Sequence, residues 1–178
     1  MARMLTFLLG GARSGKSSRA LALANDAPRV LFVATGEAHD DEMAARIVAH
    51  KAERPLTWDT LEEPRALVAA LHSRADGYDV IIIDCLTLWV SNLMLAQPTP
   101  IDPVAAVPPL LDVYARGRAH WIVISNEVGL GLVPDTPLGR AYRDALGAVN
   151  RQIAAAADVV SLMVAGLPLT IKPPPPPP

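Results

Sequence analysis

Five apolar runs punctuate the chain: Met4 to Leu9, Arg29 to Thr35, Asp79 to Asp84, His120 to Ser125 and Asp158 to Val164. Each is short, rich in Val, Ile and Leu, and bounded by polar or turn-forming residues, which predicts buried strands. Between them lie segments long enough for helices: Ser18 to Asn25, Glu42 to Lys51, Arg65 to Arg74, Leu86 to Leu95, Asp112 to Arg118 and Pro137 to Ala157. Strands alternating with helices predict an α/β fold, a mostly parallel sheet flanked by helices. Leu169-Thr170-Ile171 adds a short edge strand. Lys51 to Pro64 is polar and broken by prolines, so it reads as a mobile loop containing Trp58, Glu62 and Glu63. Gln97 to Pro109 carries several prolines and reads as a surface loop or a subunit-contact segment.

The first strand runs into Gly10-Gly11-Ala12-Arg13-Ser14-Gly15-Lys16-Ser17, which fits the phosphate-binding pattern G-x-x-x-x-G-K-[ST]. Strand, loop and helix follow in the required order, so a chance Gly-rich turn is a poor account of it. The glycines let successive N–H groups turn toward phosphate oxygens, and the helix behind adds its positive end. Lys16 is placed to bridge the β- and γ-phosphates, and the Ser17 hydroxyl to ligate Mg²⁺. The run Val80 to Ile83 closes on Asp84, the usual acidic partner of such a loop, whose carboxylate reaches the metal or its waters. An ordinary turn aspartate is the competing reading. The chain is therefore expected to bind a nucleoside triphosphate.

Composition narrows the classes further. A chain of 178 residues has the size of one domain, and 51% hydrophobic residues suffice for one core. Residues 1–172 are read as that single domain. Pro173 to Pro178 is a homopolymer expected to form an extended, disordered tail. The formal net charge is −2 with no long basic run, which leaves no nucleic-acid footprint. The lone Cys85 excludes an internal disulfide and a thiolate metal site, and follows an apolar run as a buried structural thiol would. Met4 to Leu9 is too short for a secretory signal, and no apolar stretch approaches the ~20 residues of a membrane span. The cytoplasm is the default address.

A phosphate loop does not by itself choose a reaction. His50 lies among Arg46, Lys51 and Arg54, and Arg46 and His50, four apart, share a helix face. A neutral imidazole is a competent nucleophile toward phosphorus, and neighbouring cations stabilise the charge that develops on its oxygens. A lone histidine on a helix surface is the plainer alternative. His39, His72 and His120 read as surface or structural. Asn126 and Glu127 end a strand on the ligand edge, where a substrate role and a self-capped turn are equally open.

Further stretches fall in a recognisable order: Ala34-Thr35-Gly36, Asp41-Glu42-Met43, Arg46-Ile47 with His50, and Trp58 with Glu62. Asp84-Cys85-Leu86-Thr87 and Asn126-Glu127-Val128-Gly129-Leu130-Gly131-Leu132-Val133-Pro134 follow. With the phosphate loop, these resemble the bifunctional adenosylcobinamide kinase/adenosylcobinamide-phosphate guanylyltransferase family, from about Leu5 to Lys172. The phosphate loop is shared by many families. The Arg46–His50 spacing together with the Asn126–Pro134 motif is far more specific.

The resemblance implies a RecA-like phosphate-loop fold, a homotrimer and a two-step enzyme. ATP or GTP phosphorylates adenosylcobinamide. GMP from GTP then passes to adenosylcobinamide phosphate through a guanylyl-histidine, for which His50 is the matching position. The catalytic residues implied are His50, Lys16 and Asp84, with Ser17 and Asp84 holding Mg²⁺. The nucleotide contacts implied are Gly10, Gly11, Ala12, Arg13, Ser14, Gly15, Lys16, Ser17, Thr35, Gly36, Glu37, Lys51, Ala52, Glu53, Arg54, Glu62 and Asp84. The Gln97–Pro109 segment and the polyproline tail depart from the family pattern. A small-molecule kinase without the histidine step, or a non-catalytic nucleotide switch, are the alternatives that the residues alone leave open.

Overall fold

The computed structural model describes residues 3–174 apart from positions 39 and 53. His39, Glu53, the side chain of Arg46 and the last four prolines of the tail lie outside the described residues. In chain order the elements are β1 (Leu5–Gly10), α1 (Lys16–Ala24), β2 (Val30–Ala34), α2 (Asp41–Ala52), β3 (Asp59–Glu62), α3 (Leu67–Arg74) and β4 (Val80–Asp84). There follow α4 (Leu86–Met94), α5 (Pro103–Arg116), β5 (His120–Ile124), α6 (Pro137–Ala156), β6 (Val159–Val164) and β7 (Leu167–Lys172). They build one seven-stranded sheet of order β3-β2-β4-β5-β1-β6-β7, parallel except for β7. The fold is the α/β, mostly parallel arrangement expected from the alternating pattern.

Successive side chains of a strand point to opposite faces, and here both faces are covered, which is why the strands are continuous apolar runs. On one face Leu5, Phe7, Leu31, Val33, Ile81, Ile83, Trp121 and Val123 pack beneath α3, α4, α5 and α6. On the other, Leu8, Val30, Phe32, Val80, Ile82, Ile122 and Ile124 meet chiefly Ala20 and Ala24 of α1. None of the described side chains of α2 is buried.

Two expectations are corrected. The stretch Lys51 to Pro64 is not loop throughout: it contains β3, which pairs in parallel with β2 from Leu31↔Asp59 to Ala34↔Glu62. This four-residue edge strand, Asp-Thr-Leu-Glu, is largely exposed and so lacks an apolar pattern. The prolines of Gln97 to Pro109 do not keep that whole segment out of a helix, because α5 starts at Pro103 and runs through Pro108 and Pro109. Asp102 caps it, its carboxylate accepting from Val104 N–H at 2.9 Å, and Pro103 occupies the first turn, where no N–H is needed. Pro108 removes the donor for the Val104 carbonyl. Gln152 of α6 replaces it, donating from Nε2 at 3.2 Å.

Candidate functional site

The carboxyl ends of β1, β2, β4 and β5 converge on one edge, and the loops leaving them enclose a cavity of about 420 Å³. At its base, Gly10 has φ +152°, and a Cβ there would lie 2.5 Å from Ser14 Oγ and 2.6 Å from the Met163 carbonyl. Gly15 precedes α1 at φ +91°. Both glycines are thus required by backbone shape. Lys16 is buried, and its Nζ donates to the Gly10 and Gly11 carbonyls at 3.1 and 2.6 Å. Burial lowers its pKa, and the neighbouring Cys85 and Asp84 work against that.

Ser17 Oγ donates to Asp84 Oδ2 at 2.8 Å, joining the phosphate loop to the end of β4. Burial raises the Asp84 pKa, while the Ser17 hydroxyl, His50, Arg54 and Lys16 pull it down. A hydroxyl and a carboxylate in contact are oxygen donors suited to Mg²⁺. Among the described residues no group of three or more His, Cys, Asp or Glu forms a protein-only metal cage. A cation held here would complete its shell with phosphate oxygens and water. Cys85 is pushed up to about 11 by burial and by Asp84, so it stays a thiol at neutral pH.

His50, in the last turn of α2, lines the same cavity as Lys16, Ser17 and Asp84. Arg54 lines it too, its guanidinium 4.0 Å from the centre of the Phe32 ring. Its Nε and Nη1 are buried without a hydrogen-bond partner, and burial lowers its pKa against the pull of Asp84 and Glu62. A half-buried cation with idle donors beside a phosphate loop is suited to an anionic ligand.

The other sequence-derived positions divide. Ala12 to Ser17, Gly36 and Glu62 line the cavity. Lys51 does not line it but forms an ion pair with Glu62, and Ala52 is exposed at the end of α2. Glu37 pairs with Arg65 at 3.0 Å. Thr35 is fully buried and does not line the cavity. Its hydroxyl donates to the Cys85 carbonyl at 2.7 Å and accepts from Cys85 N–H at 2.9 Å, clamping β2 to β4 beside Asp84. Asn126 lines the cavity, and its N–H donates to Thr87 Oγ1 at 2.8 Å. Sequence reasoning missed the apolar lining of Phe32, Met43, Ile47, Leu88 and Ile124. An i, i+4 pair, Met43 and Ile47, was the available signal for the α2 part of it. A second depression of about 400 Å³ lies at the opposite sheet edge, around Arg29, Asp59 and Tyr78. Its polar groups pair with one another, as in Tyr78 Oη donating to Asp59 at 2.9 Å.

Comparison with known proteins agrees with this geometry. The family model described as cobinamide kinase / cobinamide phosphate guanyltransferase matches residues 6–171. The bifunctional adenosylcobalamin biosynthesis protein CobU of Salmonella typhimurium is 42% identical over 181 residues, covering 95% of this chain and 100% of its own. CobP of Pseudomonas aeruginosa, with the same description, is 43% identical over 171 residues, covering 95% and 98%. Among solved structures, a type III secretion ATPase superposes with TM-score 0.54 at 15% identity, over 90% of this chain and 51% of its own. The RadB recombinase gives 0.52 at 13%, over 90% and 74%. These two likenesses speak for the phosphate-loop, RecA-like fold alone.

Proposed function

The chain belongs to the cobinamide kinase / cobinamide phosphate guanyltransferase family, and from that premise we propose how its residues divide the two reactions. The enzyme is a cobinamide kinase and a cobinamide phosphate guanylyltransferase of cobalamin biosynthesis. The observation carrying the assignment of roles is that His50 shares one cavity with Lys16, Ser17 and Asp84.

In the kinase step the acceptor hydroxyl of adenosylcobinamide attacks the γ-phosphorus of ATP or GTP, the bond to the β-phosphate oxygen breaks, and the nucleoside diphosphate leaves while the hydroxyl proton passes to water. Lys16 exchanges its loop carbonyls for phosphate oxygens and neutralises charge developing there. Ser17 Oγ and the Asp84 carboxylate would hold Mg²⁺, which when bound supplies further neutralisation at the phosphates.

In the transfer step a neutral imidazole nitrogen of His50 attacks the α-phosphorus of GTP and pyrophosphate leaves. An oxygen of adenosylcobinamide phosphate then attacks the same phosphorus, the P–N bond breaks and His50 is restored. Arg54 turns its idle donors to the phosphates. The homotrimer implied by resemblance is proposed on the same footing, and Leu167, Leu169 and Ile171, exposed on one side of β7, supply apolar surface for it. No helix among the described residues is long and apolar enough to cross a membrane.

The test is intact-mass measurement after incubation with GTP and Mg²⁺, beside a kinase assay on the same preparations. Wild type should gain the mass of GMP, and His50→Ala should gain none while still phosphorylating adenosylcobinamide. A GMP adduct surviving in His50→Ala would place the nucleophile elsewhere. No adduct in wild type would remove the guanylyl-histidine from the proposed mechanism.

A further inference from the structure

β7 is an unusual strand for this sheet. All six of its residues are exposed, so it adds no side chain to either core. Lys172 fastens its end by donating to the carbonyls of Ala155 and Ala157. What β7 does create is a two-residue turn with β6, Ala165-Gly166, closed by the Val164↔Leu167 pair. Both turn residues have positive φ, +51° and +83°, the backbone of a type I′ hairpin.

That turn lies against the phosphate loop. Gly166 N–H donates to the Ser14 carbonyl at 3.1 Å. A Cβ on Gly15 would come within 3.1 Å of Gly166 Cα, so the two backbones touch. One strand back, the Met163 carbonyl closes on Gly10 in the same way. The Ser14–Gly15 peptide is planar and trans, so its C=O and N–H point in opposite directions. Holding the Ser14 oxygen on the hairpin therefore turns the Gly15 N–H away from it. Gly15 lines the cavity, and its N–H has no acceptor among the described residues.

We propose that the Ala165-Gly166 turn is a positioning element of the phosphate site. Through the Gly166 N–H it fixes the Ser14–Gly15 peptide in the orientation that presents the Gly15 N–H to a polyphosphate. Gly166 is a positioning residue, because it acts through Gly15 and touches no substrate. The inference rests on the reading of Gly10 to Ser17 as the phosphate grip.

Space around Gly166 makes the test clean. A Cβ there meets nothing within 4 Å, so the first cost of a substitution is the left-handed backbone rather than a clash. Valine, β-branched, is poorly tolerated at φ +83°, whereas asparagine tolerates left-handed backbone. The probe is inorganic triphosphate, which has no base or sugar, measured by calorimetry on the full chain and accompanied by KM values and thermal midpoints. Wild type should bind it. Gly166→Val should weaken triphosphate and raise the nucleotide KM by a common factor, roughly tenfold for one lost hydrogen bond plus backbone strain. The KM for adenosylcobinamide should stay within about twofold, the spread expected of a residue that makes no contact with the acceptor. Gly166→Asn should bind triphosphate like wild type. Unchanged triphosphate affinity in a folded Gly166→Val protein would overturn the proposal, as would equal impairment of the Asn and Val variants. Failure of wild type itself to bind triphosphate would overturn the phosphate-site reading instead.

Discussion

The two faces of the sheet are built differently. One is crowded by α3, α4, α5 and α6 over a core that includes Trp89 and Trp121. The other has α1 packed through two buried alanines, while α2 buries none of its described side chains. The cavity opens on the thin face, where Phe32 and Ile124 belong both to the smaller core and to its lining. Buried packing is thereby concentrated on the face opposite α1 and α2. The face that handles nucleotide keeps a rigid floor, the phosphate loop and Asp84, under a lightly held wall that carries His50. On the roles proposed above, a ligand spanning both would gain a fixed grip on its phosphates and an adjustable approach of His50 to the α-phosphorus.

The contrast is broken most severely from the crowded side. Leu110→Ala, at a fully buried position of α5, should cost about 2–5 kcal/mol of stability. Denaturant titration checks this, and the nucleotide KM of the folded enzyme should hardly move. A changed KM with little loss of stability would deny the separation of faces.

Next comes the floor of the thin face. Lys16→Ala should lower both activities by on the order of a hundredfold or more, since it removes a preorganised cation from the reacting phosphates. Loss of only one activity would mean that the two reactions do not share the loop.

Arg54 tests the wall. Arg54→Ala should weaken GTP binding roughly tenfold, and Arg54→Lys should not restore it, because the planar guanidinium both stacks on Phe32 and donates in a fork. Full rescue by lysine would reduce Arg54 to a point charge.

The smallest effect belongs to pH. His120, at the start of β5, is half-buried with its Nε2 3.0 Å from Thr6 Oγ1, and Nδ1 has no partner. Burial lowers its pKa below the ordinary 6.5, although Asp158 opposes this. Above that ordinary value both folded and unfolded chains hold it neutral. Below it the unfolded chain takes the proton first, so this contribution to stability is lost as pH falls toward the folded pKa. The thermal midpoint should drop by a few degrees on acidification, and less steeply in His120→Gln. An unchanged slope would assign the acid sensitivity to other groups.

Much of this was legible beforehand because burial on both faces writes strands as continuous apolar runs, and because a phosphate loop needs particular residues at particular spacings. β3 was hidden because an exposed edge strand of four residues has no buried face to pattern it. The front half of α5 was hidden because Pro108 argues against a helix unless a distant donor, Gln152, is known to serve Val104. At the site, Thr35 stood beside the expected ligand edge, yet only three dimensions show its hydroxyl consumed by the Cys85 backbone. The Ala165-Gly166 turn was equally silent, since nothing in a two-residue turn names the loop 150 residues earlier against which it lies.

The strand order also has a consequence for the birth of the molecule. β1, which carries the phosphate loop, is made well before its neighbours on either side, β5 and β6, with Leu5 opposite Trp121 and Thr6 opposite Val159. On a ribosome β1 therefore waits, without either partner, until β5 and then β6 have been made. Contacts this distant in sequence slow the search for the native state and lengthen the exposure of apolar strands to chaperones. No ligand can rescue a chain that lacks β5 and β6 by binding early, because until they arrive the loop that would hold it has no sheet to rest on.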